Sequence, residues 1–238
     1  MSLPRFFVPR PGPARAGLEV QLDPAQARHL RVLRLPPGAA LELVLDGHGW
    51  RADLAELGQE RALARLVAPI LEEREPPFPI TAFVPVLAQL ALLDELLPPL
   101  VELGATAIRP VVFHRSEHDP AKAAARFERW LRIVQGACEQ SHRTRLPELA
   151  PPAPFETLLP VAEPQRWVAH ELPSGQANPV LERGPVAFTS GPEGGLTDGE
   201  YAALVQRGWR PVHLGGGILR AVTCPVALLG AIRFQMPA

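Results

Sequence analysis

The stretch 189–201, TSGPEGGLTDGEY, predicts a strand, a tight turn and a helix in the second half of the chain. The apolar run PVAF comes just before it, and Gly191–Gly195 then holds three glycines and a proline in five residues. Thr197 and Glu200 have the spacing of a helix capping box, which predicts that a helix begins at Asp198. The turn is therefore expected to be fixed at both ends.

A glycine-rich turn at this position is suited to binding a ligand. Ligands of parallel α/β sheets lie outside the carboxyl ends of the strands. Glycine permits close backbone approach, and successive N–H groups can form an anion-binding concavity. A second turn, VHLGGG at 212–217, follows the next strand candidate, so two adjacent strand ends could form two walls of one pocket. The first turn is neither a Walker loop nor a G-x-G-x-x-G motif, and a plain strand-to-helix connection remains the alternative for it.

From residue 78 onward the chain alternates between strand and helix patterns. Strands are predicted at 80–87, 107–113, 166–172, 185–190 and 210–215, and helices at 90–105, 120–141, 198–207 and 225–234. This alternation predicts an α/β fold with a mainly parallel sheet. We expect the first helix to break or kink at Pro98-Pro99, and Asp119 to cap a single long second helix.

The chain before residue 73 has the pattern of a small β-barrel or sandwich with one helix. The segments LELVL and WRADLAEL flank a hairpin turn signal at 46–49. The segment 24–35 has helical spacing, with Asp23 as N-cap and Pro24 at the first helical position. The proline-rich EEREPPFP at 72–79 marks a boundary. We therefore predict domains at 1–72 and 78–238.

Charge is unevenly distributed along the chain. The formal net charge of −1 argues against a uniformly basic nucleic-acid binder. Residues 1–34 carry six arginines against two acids, and residues 109–145 carry seven arginines and a lysine against four acids. Such basic islands are compatible with phosphate contacts and equally with solvated faces, so charge alone favours neither.

No membrane span, signal peptide or disulfide framework is predicted. No run reaches the roughly 18 apolar residues that a membrane helix needs, and the N-terminus lacks an apolar core followed by a cleavage site. Cys138 and Cys224 fit neither a disulfide framework nor a metal-ligand spacing. We therefore expect no metal and a reducing, cytoplasmic setting.

A third segment, ACEQSHRTRLPEL at 137–149, ends the long helix with several polar side chains. Cations near the negative end of a helix dipole would explain its arginines without any function. No Ser/His/Asp order favours a hydrolase, and His142 is better explained as a surface residue than as a base.

Taken together, CEQSHRTRLPEL, GPEGGLTDGE and LGGGILRAVT resemble the 16S ribosomal RNA uridine-N3 methyltransferases of the SPOUT superfamily. The N-terminal PRFFV and ARHLRVLRLPPGAALELVLDGHGWRADL resemble the PUA-like barrel of that family. The resemblance covers nearly the whole chain. It implies an α/β fold in which a C-terminal trefoil-knotted SPOUT domain follows the small PUA-like β-barrel. It also implies bound S-adenosyl-L-methionine, a homodimer, and methylation of a uridine N3 in the 16S rRNA of the small ribosomal subunit.

The resemblance assigns roles to individual residues. Cofactor contacts would fall on the two glycine turns, at Thr189, Gly191, Glu193, Gly194, Leu214, Gly215, Ile218 and Leu219. Catalytic roles would fall on Arg220, Glu139 and Arg143, because the uridine N3–H must lose its proton and a nearby arginine could stabilise the developing anion. RNA contacts would fall on Gln140, Ser141 and Arg145 and, in the first basic island, on Arg5, Arg28, Arg31 and Arg34.

Two positions depart from the last motif of the family, which usually reads LG.RILR.ET. Gly217 stands where the first arginine is usual, and Val222 stands where glutamate is usual. These changes remove a donor fork and an acidic group that could accept a proton. Three hypotheses follow: an active RNA methyltransferase, a relative that binds cofactor or RNA but transfers poorly, and an unrelated phosphate-binding α/β enzyme.

Overall fold

A computed structural model describes residues 3–9, 13–72, 74–170, 177–215 and 217–236. The chain divides into two compact units, one formed by Met1–Glu75 with Cys138–Leu146 and the other by Pro76–Ala137 with Pro147–Ala238. No sequence pattern indicated that 138–146 would belong with the N-terminal residues. Within the described ranges, no helix is long and apolar enough to cross a membrane.

The first unit is built on a five-stranded sheet with one helix. Its elements are β1 (Arg5–Phe7), β2 (Glu19–Leu22), α1 (Pro24–Val32), β3 (Ala40–Leu45), β4 (His48–Leu57) and β5 (Ala62–Pro69), with strand order β1-β3-β4-β5-β2. The predicted hairpin is confirmed: Asp46 and Gly47 connect β3 to β4 with φ of 48° and 77°. Two positive φ values are the mark of a tight turn that matches the twist of the strands.

Helix α1 begins where the sequence predicted and ends earlier. Asp23 accepts from the Gln26 N–H, and the Gln26 side chain accepts from the Asp23 N–H, so both N-terminal donors are satisfied. The helix ends at Val32 rather than at Leu35, and Arg34 adopts a positive φ of 54°. Leu30 is fully buried in the core of this unit.

The second unit is an α/β fold, as predicted, and the sheet that was predicted to be mainly parallel is parallel at every described pairing. Its strands are β6 (Ile80–Pro85), β7 (Ala107–Val112), β8 (Glu148–Leu149), β9 (Ala153–Pro154), β10 (Gln165–Ala169), β11 (Val186–Thr189) and β12 (Arg210–Val212), and the helices along this part of the chain are α2 (Ala91–Glu102), α3 (Pro120–Ala124), α4 (Phe127–Gln140), α5 (Asp198–Gln206) and α6 (Cys224–Gln235). The strand order is β12-β10-β11-β6-β7-β8, and β9 pairs with β7. This order brings the carboxyl ends of β10, β11 and β12 to one edge.

Two helix predictions are wrong in detail. Helix α2 does not break at Pro98-Pro99 but continues through both, because its apolar face, which includes Leu97 and Leu100, is fully buried and that burial offsets the cost of roughly 3 kcal/mol of an interior proline. The alternative of a kink there stays a prediction. The single long helix predicted at 120–141 is two helices, α3 and α4, with Asp119 capping the first.

The break between α3 and α4 accompanies a charged cluster around one carboxylate. Arg126 lies at the break and Arg129 just after it, and their guanidinium groups bind the Asp94 carboxylate at 3.0 Å and 2.7 Å. The Trp130 Nε1–H donates to the same group.

Some predicted positions, Glu73, Glu171, Leu172 and Gly216, lie outside the described residues.

The opening stretch folds in the predicted order. Strand β11 ends at Thr189 and α5 begins at Asp198, where the Thr197 hydroxyl accepts from the Glu200 N–H and the Glu200 carboxylate accepts from the Thr197 N–H. The second Glu200 oxygen accepts from the His114 N–H at 2.7 Å, beyond the end of β7. The cap therefore also joins two loops at the same edge of the sheet.

Replacing Thr197 with alanine should lower the free energy of unfolding by about 1 kcal/mol, because the N-terminal donors of α5 lose their acceptor. Urea unfolding followed by circular dichroism measures this change. The Thr197→Ser variant keeps the hydroxyl and should stay close to wild type. Equal losses in both variants would show that the capping bond is not the cause.

Candidate functional site

The turn 191–195 closes so tightly on itself that its first residue has no room for a side chain. A Cβ on Gly191 would lie 2.8 Å from the Leu196 nitrogen and 3.0 Å from the Gly195 carbonyl carbon. The Gly195 N–H donates to the Pro192 carbonyl, and Gly195 has a φ of 71°, which favours glycine. Only backbone atoms of residue 191 can therefore take part in a ligand contact at this point of the turn.

A cavity of about 700 Å³ lies against this turn. Its walls come from the start of α2, the ends of β10 and β11, the glycine turn, and the segment before α6 with the first residue of that helix. The lining residues are Leu92, Ala169, His170, Ser190, Gly191, Pro192, Glu193, Gly195, Leu196, Ile218, Leu219, Arg220, Ala221, Val222 and Cys224. The volume lies within the range of small-molecule sites.

A second cavity of about 350 Å³ lies against the turn that follows β12. It is lined by Leu214, Gly215 and Gly217 among others, and it shares Ala169, His170, Ile218, Leu219 and Cys224 with the larger cavity. The two glycine turns therefore line neighbouring cavities. The predicted adjacency of their strands is wrong, because β10 lies between β11 and β12.

Most of the predicted cofactor residues line one of these cavities. Gly191, Glu193, Ile218 and Leu219 line the larger cavity, and Leu214, Gly215, Ile218 and Leu219 line the smaller. Thr189 is completely buried at the end of β11, without a hydrogen-bond partner for its hydroxyl. Their cofactor roles stay predictions.

Arg115 holds the glycine turn from outside, a contact that sequence reasoning missed. Its guanidinium donates to the Gly194 carbonyl at 2.7 Å and to the Leu196 carbonyl at 3.2 Å. Across the turn, the Glu193 carboxylate accepts from the Ala88 N–H at 3.1 Å, beyond the end of β6. The loops after β6 and β7 therefore brace the turn. In the sequence, Arg115 is one of several arginines in the basic island, so no signal singled it out.

The side chains that could act chemically in the larger cavity include Arg220, His170 and Cys224. Arg220, a predicted catalytic residue, is exposed and lines this cavity. The His170 ring stacks on Tyr201 with centroids 3.8 Å apart. Burial raises the pKa of the Cys224 thiol, and the neighbouring Ser190 hydroxyl offsets only part of that rise. Cys224 therefore stays protonated and is a poor nucleophile.

The other predicted catalytic and substrate residues, Glu139, Gln140, Ser141, Arg143 and Arg145, belong to the first unit. Arg143 is almost fully buried, and its guanidinium binds one oxygen of the Glu75 carboxylate at 2.6 Å and 3.1 Å. The other Glu75 oxygen accepts from the backbone N–H groups of Thr144 and Arg145, both at 3.0 Å. The Glu75 carboxylate thus holds three consecutive residues of the 137–149 segment in place.

The electrostatics of Glu75 follow from these contacts. Burial alone would raise the pKa of the Glu75 carboxyl, but the hydrogen bonds and charge of Arg143, with the two backbone donors, lower it below its ordinary value. The neighbouring His142 and the buried Arg5 both contact the Glu42 carboxylate. Burial would raise the pKa of Glu42 as well, and these two partners lower it.

The predicted RNA-binding arginines fall into two groups. Arg5 is buried and bound to Glu42, at 2.7 Å. Arg28, Arg31 and Arg34 are exposed on and just after α1, and Arg31 donates to the carbonyls of Gly58 and Gln59.

In the part of the chain that the structure describes, no group of three His, Cys, Asp or Glu side chains is arranged to hold a metal ion.

Comparison with known proteins gives consistent matches over both units. The RNA methyltransferase domain family matches residues 74–233, and the RNA methyltransferase PUA domain family matches residues 22–67. A ribosomal RNA small subunit methyltransferase E from Synechocystis is 38% identical over 90% of this chain and 72% of its own length.

Two solved structures are similar along nearly the whole chain. The ribosomal RNA small subunit methyltransferase E of Neisseria gonorrhoeae bound to S-adenosyl methionine has a TM-score of 0.85 at 32% identity, covering 99% of this chain and 98% of that one. The Legionella pneumophila protein Lpg2936 in complex with SAM has a TM-score of 0.86 at 26% identity, covering 98% of each chain. These similarities confirm the predicted α/β methyltransferase fold with an N-terminal PUA domain.

Breaking the Arg143–Glu75 pair from one side should cost about 3–5 kcal/mol of unfolding free energy, because a buried charge is left without its partner. The Arg143→Met and Glu75→Gln variants should each show this loss in urea unfolding. The double variant should be more stable than the sum of the two losses predicts. Strict additivity would show that the two side chains do not act as a pair.

The same pair predicts a pH dependence of stability. The pKa of Glu75 in the folded state lies below its ordinary value of 4.5, so its stabilising contribution is present at neutral pH and is lost as the pH falls through the folded-state pKa. The difference in unfolding free energy between wild type and Glu75→Gln should therefore shrink below about pH 4.5. A difference that grows on acidification would contradict this assignment.

Proposed function

Because this chain belongs to the RNA methyltransferase family that includes the ribosomal RNA small subunit methyltransferase E proteins, we propose that it methylates N3 of a uridine in 16S ribosomal RNA. The observation that carries the proposal is the pair of glycine turns lining neighbouring cavities at the carboxyl ends of β11 and β12. The cofactor is S-adenosyl-L-methionine, which two structural neighbours contain.

The residues around the two cavities fit this cofactor. Gly191 leaves no space for a Cβ, so ligand contacts there come from backbone groups, and the lining is mostly apolar. The cofactor would be held by the residues predicted for it, Thr189, Gly191, Glu193, Gly194, Leu214, Gly215, Ile218 and Leu219. When bound, it supplies an activated methyl group on a sulfonium.

The protein has to align the methyl donor with the acceptor base and to stabilise the charge that develops on that base. A turn fixed by Arg115, Glu193 and the capped α5 provides a rigid wall for aligning donor and acceptor. The uridine N3–H must lose its proton, and the Arg220 guanidinium at the cavity can stabilise the negative charge that develops on the base. Glu139 and Arg143 remain candidate catalytic residues, and the Arg143 guanidinium is bound by the Glu75 carboxylate.

The departures at Gly217 and Val222 support a second candidate function, a relative that binds cofactor or RNA and transfers poorly. Val222 lines the larger cavity, where an acid is usual in the family. A Cβ at Gly217 would meet no atom within 4 Å, so a side chain can start at this position without a clash. The double variant Gly217→Arg, Val222→Glu therefore tests this candidate without a Cβ clash at Gly217.

The expected oligomeric state, chain topology and cellular location follow from the family resemblance. We expect a homodimer, a trefoil knot in the second unit, and action in the cytoplasm on small ribosomal subunits. Sedimentation equilibrium would test the dimer, and a mass equal to one chain at micromolar concentration would exclude it.

Transfer of labelled methyl groups from S-adenosyl-L-methionine to small ribosomal subunits tests the main proposal. N3 methylation blocks the pairing edge of uridine, so reverse transcription should stop at a single position. Labelled rRNA without such a stop would contradict N3 as the acceptor. Retained cofactor binding without label would favour the second candidate, and a gain of activity in the double variant would locate the defect.

Gly191→Ala should weaken cofactor binding at least about tenfold in calorimetry, because its Cβ would collide with the turn backbone. The matched control is Gly199→Ala, in the first turn of α5, where a Cβ meets nothing within 4 Å. An unchanged affinity in Gly191→Ala would show that the turn does not form the cofactor wall.

A further inference from the structure

The second glycine turn leaves the sheet at the end of β12. The pairing of β12 with β10 ends at Val212, whose carbonyl accepts from the His170 N–H at 3.0 Å. The backbone groups of the next residue, His213, need other partners, because a backbone N–H and C=O are rarely left without a hydrogen bond. Leu214 and Gly215 follow at once and line the smaller cavity, so the contacts of His213 set where this wall begins.

One side-chain amide binds both backbone groups of His213. The Asn178 Nδ2 donates to the His213 carbonyl at 2.7 Å, and the Asn178 Oδ1 accepts from the His213 N–H at 2.8 Å. The amide thus offers His213 the donor and the acceptor that a neighbouring strand would offer. The two residues are 35 positions apart, so this clamp joins distant parts of the second unit.

Asn178 is itself held in place by its own segment. Pro179, the next residue, is buried, and a proline restricts the residue before it to extended backbone. The Glu182 N–H donates to the Gln165 Oε1 at 2.7 Å, and the Gln165 Nε2 donates to the Glu182 carbonyl at 2.9 Å. A second amide clamp of the same kind therefore fastens this segment to the start of β10.

The glycines of the second turn are packed more loosely than those of the first. A Cβ at Gly191 would lie 2.8 Å from the Leu196 nitrogen, whereas a Cβ at Gly215 or Gly217 would meet no atom within 4 Å. Ile218, which follows the turn, is 99% exposed. Glycine has many accessible backbone conformations, so the order of a loosely packed glycine turn depends on the hydrogen bonds at its ends.

We propose that Asn178 is a positioning residue of the cofactor site, which holds the second glycine turn in the conformation that binds S-adenosyl-L-methionine. The inference rests on the proposed function in one respect, because the turn has to belong to the cofactor site. It goes beyond that function by assigning a part in cofactor affinity to a residue that lines neither cavity. Asn178 acts through the His213 backbone and not on the reacting groups.

Hydrogen exchange of the protein without cofactor tests the clamp itself. In Asn178→Ala the His213 N–H loses its acceptor, and the segment 213–219 should exchange roughly tenfold faster than in wild type. Gln165→Ala is the matched control, because it removes the other double amide clamp from the same segment and leaves His213 untouched. Its exchange should rise at Glu182 and stay at the wild-type rate over 213–219.

Calorimetry with S-adenosyl-L-methionine tests the link to the cofactor. Asn178→Ala should weaken the affinity roughly tenfold, which is the worth of one to two net hydrogen bonds, because the turn then has to be ordered on binding. The kcat at saturating cofactor should stay within about twofold of wild type. Asn178→Gln should recover part of the affinity, since it carries both amide groups on a side chain one methylene longer. Gln165→Ala should bind the cofactor as wild type does.

The outcomes separate this role from the proposed function. Unchanged exchange over 213–219 in Asn178→Ala would overturn it, and so would a loss of affinity in Gln165→Ala equal to that in Asn178→Ala. A lower kcat at unchanged affinity would also contradict a positioning role. A wild-type protein that binds the cofactor and transfers no methyl group to small subunits would overturn the proposed function, and the affinities would still decide the role of Asn178. A wild-type protein that binds no cofactor would overturn both.

Discussion

The contact between Gly191 and the backbone of Gly195 and Leu196 is the constraint on which the candidate site depends. At 2.8 Å from a neighbouring nitrogen, no Cβ fits at position 191. The tight turn after β11 therefore requires glycine at 191, and at that position only backbone atoms line the cavity. Thr197 and Glu200 hold the far end of the turn by capping α5. Arg115 and Glu193 join the turn to the loops after β7 and β6. The wall of the cavity is thus rigid before any ligand arrives, which reduces the cost of binding.

In the first unit a loop is also held in one conformation, here by a buried carboxylate rather than by a glycine. The Glu75 carboxylate accepts hydrogen bonds from three consecutive residues, Arg143, Thr144 and Arg145. A buried carboxylate with this many donors is stabilised in its charged form. It sets the backbone of the motif segment and so determines where Arg145 stands. In both units a compact polar arrangement fixes a loop that carries candidate functional groups.

The sequence predicted those parts of the fold that depend on local chemistry. The N-cap at Asp23, the capping box at Thr197 and the hairpin at Asp46 appear where expected, because each needs only neighbouring residues. The prediction that the prolines would break α2 was wrong, because the burial of Leu97 and Leu100 that stabilises this helix is a tertiary effect.

The contacts that the sequence did not predict are long-range. Glu75 and Arg143 are separated by 68 positions, and Arg115 and Gly194 by 79, so no local pattern connects them. The motif residues of the candidate site were found because the glycine turns and the EQS segment resemble those of a known family. Their partners were not found, because a buried acid and an arginine in a basic island look ordinary in a sequence.

Hydrogen exchange with and without S-adenosyl-L-methionine tests the central claim, that the two glycine turns form the cofactor site. The predicted result is slower exchange at 191–196 and at 214–219 on adding the cofactor, with no comparable change in β4 or β5. Protection confined to other segments, or none at a saturating cofactor concentration, would contradict the assignment.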